Sequence, residues 1–471
     1  MKKFVAVFAA LTVAGIASAD DAPVTKQNLR ALIDCAAKLT PPLAQYARDA
    51  VSEDAGVAES AIRALRVNGP AGLRALLETH AELIKQHEPA RPSLFAKTND
   101  AAWLRLKTAI DGVGQQRDCY ASQLFWYTDL EQAKAAAQKE ARPILSLRLL
   151  GKLDEEFSCA NSRFFRTTLY ANKEVANFLR DHYVLHWKSV RPVPKVTIDF
   201  GDGRKLEQTI TGNSIHYVLD ADGKVIDALP GLYAPKIFLR ELERGEKIVQ
   251  ESAKFTGAGR EFFLREFHRT RLAALNTELA VDLQQINNPI VSRTELTAPT
   301  SVQPIVNKPD ARAASRLTTA KGGAESALLN LRPRKAGDLD DATWQKIAAL
   351  RVDSVKLDEN SRALILAKAP TASTASRLAV GKSFSESPLL RQIRNLERSI
   401  SEDTARNEYL FHTKIHEWLS SEIGTGQLDQ LNAKVYAELF LTPDSDPWLG
   451  LLPNDAYGAL ENDGIVLTTK K

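Results

Sequence analysis

Apolar positions between Asn28 and Ser122 follow a helical period. Leu29, Leu32, Ile33 and Ala36 share one face, and Ile62-Arg63-Ala64-Leu65 and Leu73-Leu76-Leu77 lie on either side of an Asn68-Gly69-Pro70 turn. This pattern predicts short helices joined by tight turns. The period changes after Phe125. Thr128 and Glu131 have capping-box spacing and predict a helix to about Glu140, which Arg142-Pro143 stops. Ile144 to Leu149 reads as a buried strand, and a loop from Gly151 to Ser158 leads to a helix that starts near Cys159. A helix over Lys173 to Arg180 and a strand over Tyr183 to Lys188 follow. Two hairpins are then predicted, Val196–Phe200 with Leu206–Ile210 and Ile215–Leu219 with Lys224–Leu229, and a helix from Pro235 to Arg244 closes the unit.

Beyond Glu251 the pattern is helical again, with one long amphipathic element over Phe262 to Leu283. Asn287 to Asp310 is rich in Pro, Thr, Ser and Asn and reads as linker. Ala314-Ser315-Arg316-Leu317, Lys321, Glu325-Ser326 and Leu328-Leu329 then recur as Ala375-Ser376-Arg377-Leu378, Lys382, Glu386-Ser387 and Leu389-Leu390, at one offset of 61 residues. A constant offset points to a duplicated helical unit, with the leucines as core.

The ends and the charge balance narrow the setting. Lys2 and Lys3 precede an apolar run from Phe4 to Ile16 that ends in Ala17-Ser18-Ala19, the form of a secretory signal peptide cleaved after Ala19. The run is about thirteen residues, short of the roughly 20 that a membrane span needs. A periplasmic or secreted protein without a membrane span is expected. The formal net charge is +4, and lower once Lys2 and Lys3 are removed, too small to point to nucleic acid. There are three cysteines, Cys35, Cys119 and Cys159, so at least one is unpaired within a monomer. Cys35 and Cys119 lie in helical surroundings and are the candidate disulfide, leaving Cys159 as the free thiol.

From Phe125 to Arg244 the order of elements resembles the thioredoxin superfamily. Trp126-Tyr127-Thr128-Asp129-Leu130-Glu131-Gln132-Ala133 ahead of Arg142-Pro143-Ile144-Leu145 is similar to the opening of exported thioredoxin-like domains. Val218-Leu219-Asp220-Ala221-Asp222-Gly223-Lys224-Val225, with Leu229-Pro230-Gly231, is similar to the end of that fold. The resemblance covers about a quarter of the chain. It implies an α/β domain, a central mixed sheet with flanking helices, at residues 123–250. That domain would lie between a helical region at 20–122 and, after a long helix and linker at 251–310, a helical region at 311–471 carrying the duplicated unit.

In that superfamily a nucleophilic cysteine opens a helix in a C-x-x-C motif, where the helix start favours the thiolate. The matching stretch here is Ser158-Cys159-Ala160-Asn161-Ser162, so Cys159 takes the nucleophile position and Ser162 replaces the resolving cysteine. A mixed disulfide on Cys159 would need an outside thiol for release. Asp154-Glu155-Glu156 opposes a thiolate, while Arg163 and Arg166 counter it, and Asn161 lies inside the motif. Ser214 stands where the family has its cis-proline; a non-proline cis bond costs ~3 kcal/mol, so a trans bond is expected. Two functions stay open: monothiol exchange through Cys159 and Ser162 on a protein disulfide, or a scaffold that binds a protein partner with Cys159 inert.

The histidines offer a third, metal-based class. Glu408, His412 and His416 share one ridge of a predicted helix, beside an apolar stripe of Phe411, Ile415 and Trp418. With no further ligand in view, His412 and His416 are expected at the border of that packing face, not as a metal site. His182 and His186 are also four apart, but on or beside a strand. The sequence carries no haem-attachment motif, phosphate-cradling glycine loop or G-x-S-x-G elbow, so no cofactor is expected.

Overall fold

The computed structural model describes residues 42–87, 100–209, 212–287, 339–368, 388–421, 427–447 and 449. The signal-peptide segment, Cys35, the linker, the first copy of the repeat and nearly all of the second lie outside these residues. The chain divides into two compact units, Met1–Phe125 and Trp126–Lys471.

The first unit is helical as its pattern predicts, with α1 at Leu43–Asp49, α2 at Ala55–Val67, α3 at Pro70–Thr79, α4 at Ala81–His87, α5 at Ala101–Gly114 and α6 at Cys119–Ser122. Asp54 opens α2 by accepting from the backbone N–H groups of Gly56 and Val57. The α2–α3 turn needs Gly69, whose φ of 63° lies in the left-handed region, before Pro70 at the first helical position. Leu65, Leu76, Leu106 and Ile110 are wholly buried and form the core of this unit.

The second unit is built on a five-stranded mixed sheet. Its elements are β1 at Trp126–Tyr127, α7 at Leu130–Glu140, β2 at Ile144–Leu150, α8 at Ala160–Phe164, α9 at Lys173–His182, β3 at Val184–Arg191, β4 at Lys195–Asp199, β5 at Lys205–Thr209, β6 at Ser214–Leu219 and β7 at Val225–Pro230. The strand order is β1-β3-β2-β6-β7, with β4 and β5 forming a separate two-stranded ribbon. β1, β3 and β2 run parallel, while β6 and β7 are antiparallel to their neighbours. The central strand β2 is buried along its whole length, as a near-continuous apolar run in a two-sided sheet should be. α7 starts later than the capping-box spacing suggests: Asp129, not Thr128, caps it by accepting from the Gln132 N–H.

The helices that follow join this unit instead of forming one of their own. They are α10 at Pro235–Ser252, α11 at Gly257–Asn287, α12 at Asp341–Ala349, α13 at Glu359–Lys368, α14 at Pro388–Arg406, α15 at Thr413–Ser420 and α16 at Leu428–Lys434. π-helical turns at Asn407–His412 and Val435–Leu439 precede α15 and follow α16. Trp344 and Ile347 of α12 pack with Leu275 of α11, Ala405 and Tyr409. The loop after β7 is tied to the helical segment: the Asn407 side chain donates to the Leu232 carbonyl at 2.7 Å, and the Ala234 N–H donates to Thr404 Oγ1 at 2.7 Å. Among the described residues no helix is long and apolar enough to cross a membrane.

Candidate functional site

Two places in the second unit bring reactive side chains together. The first is the start of α8, where Cys159 is the N-cap residue. Its N–H donates to the Leu150 carbonyl at 3.2 Å, tying the helix start to the end of β2. Its carbonyl accepts from the Arg163 N–H at 3.1 Å and from Ser162 Oγ at 2.8 Å, so the Ser162 hydroxyl serves the backbone. The Asn161 side chain donates to the Gly212 carbonyl in the loop ahead of Ser214. Ser214 is buried, pairs with Leu149 across the sheet, and its carbonyl accepts from the Gly231 N–H at 2.9 Å. Cys159, Asn161, Ser162, Arg163 and the Ser214 strand start thus share one end of the sheet, and every described peptide bond is trans.

Cys159 is 0% exposed, and the C-terminal segment is held at the same end of the sheet. Tyr436, in the π-turn after α16, donates from its hydroxyl to the Asn213 carbonyl at 3.1 Å, and Asn213 donates to Thr442 Oγ1 at 3.0 Å. Arg191, at the end of β3, donates to the carbonyls of Thr442 at 2.6 Å, Asp446 at 3.1 Å and Pro443 at 3.3 Å. Burial raises the Tyr436 phenol, and a charge on Cys159 would raise it further. Burial likewise lowers the Arg163 guanidinium pKa. Arg166 is buried and donates to the carbonyls of Glu155 and Glu156, so it holds the acidic loop by its backbone.

Cys119 is a buried thiol. Its sulfur donates to the Leu124 carbonyl at 3.3 Å, and burial pushes its pKa well up. Cys35, the other half of the disulfide expected from the sequence, lies outside the described residues.

The second place overturns the expectation for His412 and His416. Both are fully buried, not at the border of a packing face. His412 closes the π-turn and His416 lies on α15, and their rings are 4.3 Å apart. His412 Nε2 lies 3.1 Å from Oδ1 of Asp227 on β7, and His416 Nδ1 lies 2.8 Å from Nδ1 of His268 on α11. One ligand atom from each of Asp227, His412 and His416 lies within 4.8 Å of the others. His412 Nδ1 and His416 Nε2 are buried without a hydrogen-bond partner. Burial lowers the His268 pKa to about 4 and takes His416 well below its usual value. Burial alone would raise the Asp227 carboxyl, but the adjacent His412 and His416 hold it below the usual carboxylate range.

Glu408, which shares the helical ridge in sequence, turns elsewhere. It pairs with Arg240 on α10 and lies 3.7 Å from both Arg271 and Arg351. His182 and His186 do not share a side: His182 ends α9 and lies 3.0 Å from Glu246, while His186 is buried on β3, 2.8 Å from Ser146 Oγ. Sequence reasoning missed Asp227 and His268. A lone acid inside the apolar run Val225–Pro230 is the signal that could have pointed to Asp227, because a buried carboxylate needs a partner. His268 carries no such mark in the long helix. In comparison with known proteins the chain finds no match: no family model fits it, and neither a characterised protein nor a solved structure is significantly similar.

Proposed function

We propose that this chain is an exported, thioredoxin-like module that binds a protein partner and does not catalyse thiol–disulfide exchange, with Cys159 serving as a packing residue. The strand order β1-β3-β2-β6-β7, with a helix starting at Cys159 directly after β2, supports the thioredoxin-like reading. The observation that carries the loss of catalysis is the complete burial of Cys159. A thiol attacks a disulfide only where its sulfur can be reached in line, so a covered sulfur cannot start the exchange. Ser162 adds to this, because its hydroxyl is committed to the Cys159 carbonyl.

The test is alkylation of the native full chain near neutral pH, read by peptide mass spectrometry. Cys159 should stay unmodified until denaturant is added, and Cys159→Ala should leave the folded state intact. Fast native labelling, with a stable mixed disulfide on Cys159, would favour the second reading, monothiol exchange. The N-cap placement of Cys159 speaks for that reading, which requires the 435–447 segment to lift and an external thiol to resolve the adduct.

A further inference from the structure

We infer that Asp227, His412 and His416 are the ligands of a divalent transition-metal ion, zinc by the chemistry of the donors, which clamps the edge of the sheet to the C-terminal helices. The three residues come from two elements remote in sequence, β7 and the helical run 407–420, and each is buried. One carboxylate and two imidazoles at helical i, i+4 spacing are a donor set suited to zinc and neighbouring metals. Ligand atoms around a tetrahedral zinc stand about 3.3 Å apart, given bonds of roughly 2.0–2.1 Å. The three here lie within 4.8 Å of one another, so small side-chain adjustments close the set.

An unpartnered ring nitrogen makes the second argument: His416 Nε2 is buried with no hydrogen-bond partner, while His412 turns its Nε2 to Asp227 and would ligate through that nitrogen. His416 Nδ1 faces His268 Nδ1 at 2.8 Å, so one ring donates and the other accepts. With His416 donating from Nδ1, its Nε2 carries a free lone pair, and His268 holds the ring in the orientation a metal needs. A hydrogen bond on the second ring nitrogen is the usual way a ligating histidine is positioned. Neighbouring charge does not bar a cation: Arg271, the nearest buried guanidinium on α11, lies 2.7 Å from Glu278 and 3.6 Å from Glu241.

The full-length chain, stripped by a chelator, is titrated with Zn(II) and with Co(II) as a coloured substitute. One ion per chain is expected, with a rise in the thermal midpoint and the visible absorption of four- or five-coordinate cobalt. His268→Gln should weaken binding about 10–100-fold, the usual cost of losing a partner that orients a ligand, and His416→Gln and Asp227→Asn, which each remove a ligand, should weaken it more. His80→Gln, in the other unit, should not change it. Absence of stoichiometric binding, or undiminished binding by folded His416→Gln, would overturn the inference. If the variants do not fold, X-ray absorption of the zinc-loaded wild type decides: imidazole nitrogen with carboxylate oxygen supports the site, and sulfur or water alone overturns it. Because the site is remote from Cys159 in the sheet order, its failure leaves the thiol reading untouched.

Discussion

The Tyr170 hydroxyl and His216 Nε2 meet at 2.7 Å inside the second unit, with the Phe165 and Phe238 rings against the imidazole. Burial lowers the His216 pKa to about 3. His186, on the opposite face of the sheet, is lowered to about 3 by burial and by Arg148 and Lys188 beside it. The unfolded chain protonates these rings near 6.5 and the folded chain does not, so stability is complete above 6.5 and is lost as pH falls toward 3. At pH 5 each histidine should cost about 2 kcal/mol, at ~1.4 kcal/mol per pH unit. Denaturant midpoints of the second unit at pH 7 and pH 5 measure this, and His216→Phe should lessen the loss.

The first unit should respond to pH in the opposite sense. Asp111 accepts from the Cys119 N–H at 2.8 Å, and burial raises its carboxyl to about 7. The folded chain therefore holds a proton that the unfolded chain releases near 3.8, and stability is lost as pH rises from about 4 through 7. The loss totals about 4 kcal/mol. Asp111→Asn, which keeps the acceptor oxygen, should flatten the dependence; hydrogen exchange of peptides from 100–122 between pH 5 and 8 reads it.

Gly72→Ala should destabilise, although the same change in an open helix gains about 1 kcal/mol. A Cβ at Gly72 would stand 2.0 Å from the Leu65 carbonyl oxygen of α2, so the two helices would have to separate. The expected cost is about 1–3 kcal/mol, the range for overpacking a filled core. A thermal midpoint at or above that of the wild type would show that the helices can move apart freely.

Arg191→Ala should loosen the cover over Cys159. The guanidinium holds three carbonyls between Thr442 and Asp446; without it those of Pro443 and Asp446 keep the N–H groups of Asp446 and Leu449, and the bond to Thr442 is lost. Charged donors of this kind contribute roughly 1.5–3 kcal/mol. Amide exchange in 435–447 should quicken about tenfold or more while the β2 amides keep their protection, and Cys159 should become open to alkylation. Equal exchange in wild type and variant would mean that Tyr436 and Asn213 suffice to hold the segment.

The helices of the first unit and the strands Ile144–Leu150 and Val225–Pro230 were legible in the sequence because they rest on local periodicity and turn residues: Gly69-Pro70 sets a turn wherever it lies. The Cys159 helix start was legible for the same reason. Two things were decided only in three dimensions. That the Cys159 sulfur is buried follows from packing at this end of the sheet, to which the chain brings Arg191 and Tyr436 from farther along the sequence. Whether His412 and His416 border a surface or fill an interior depends on β7 and α11, which bring Asp227 and His268 to them. Periodicity records which face of a helix is apolar; it does not record which strand packs there. Burial and ion pairing are sums over neighbours distant in sequence, so they follow from the fold and not from any one segment.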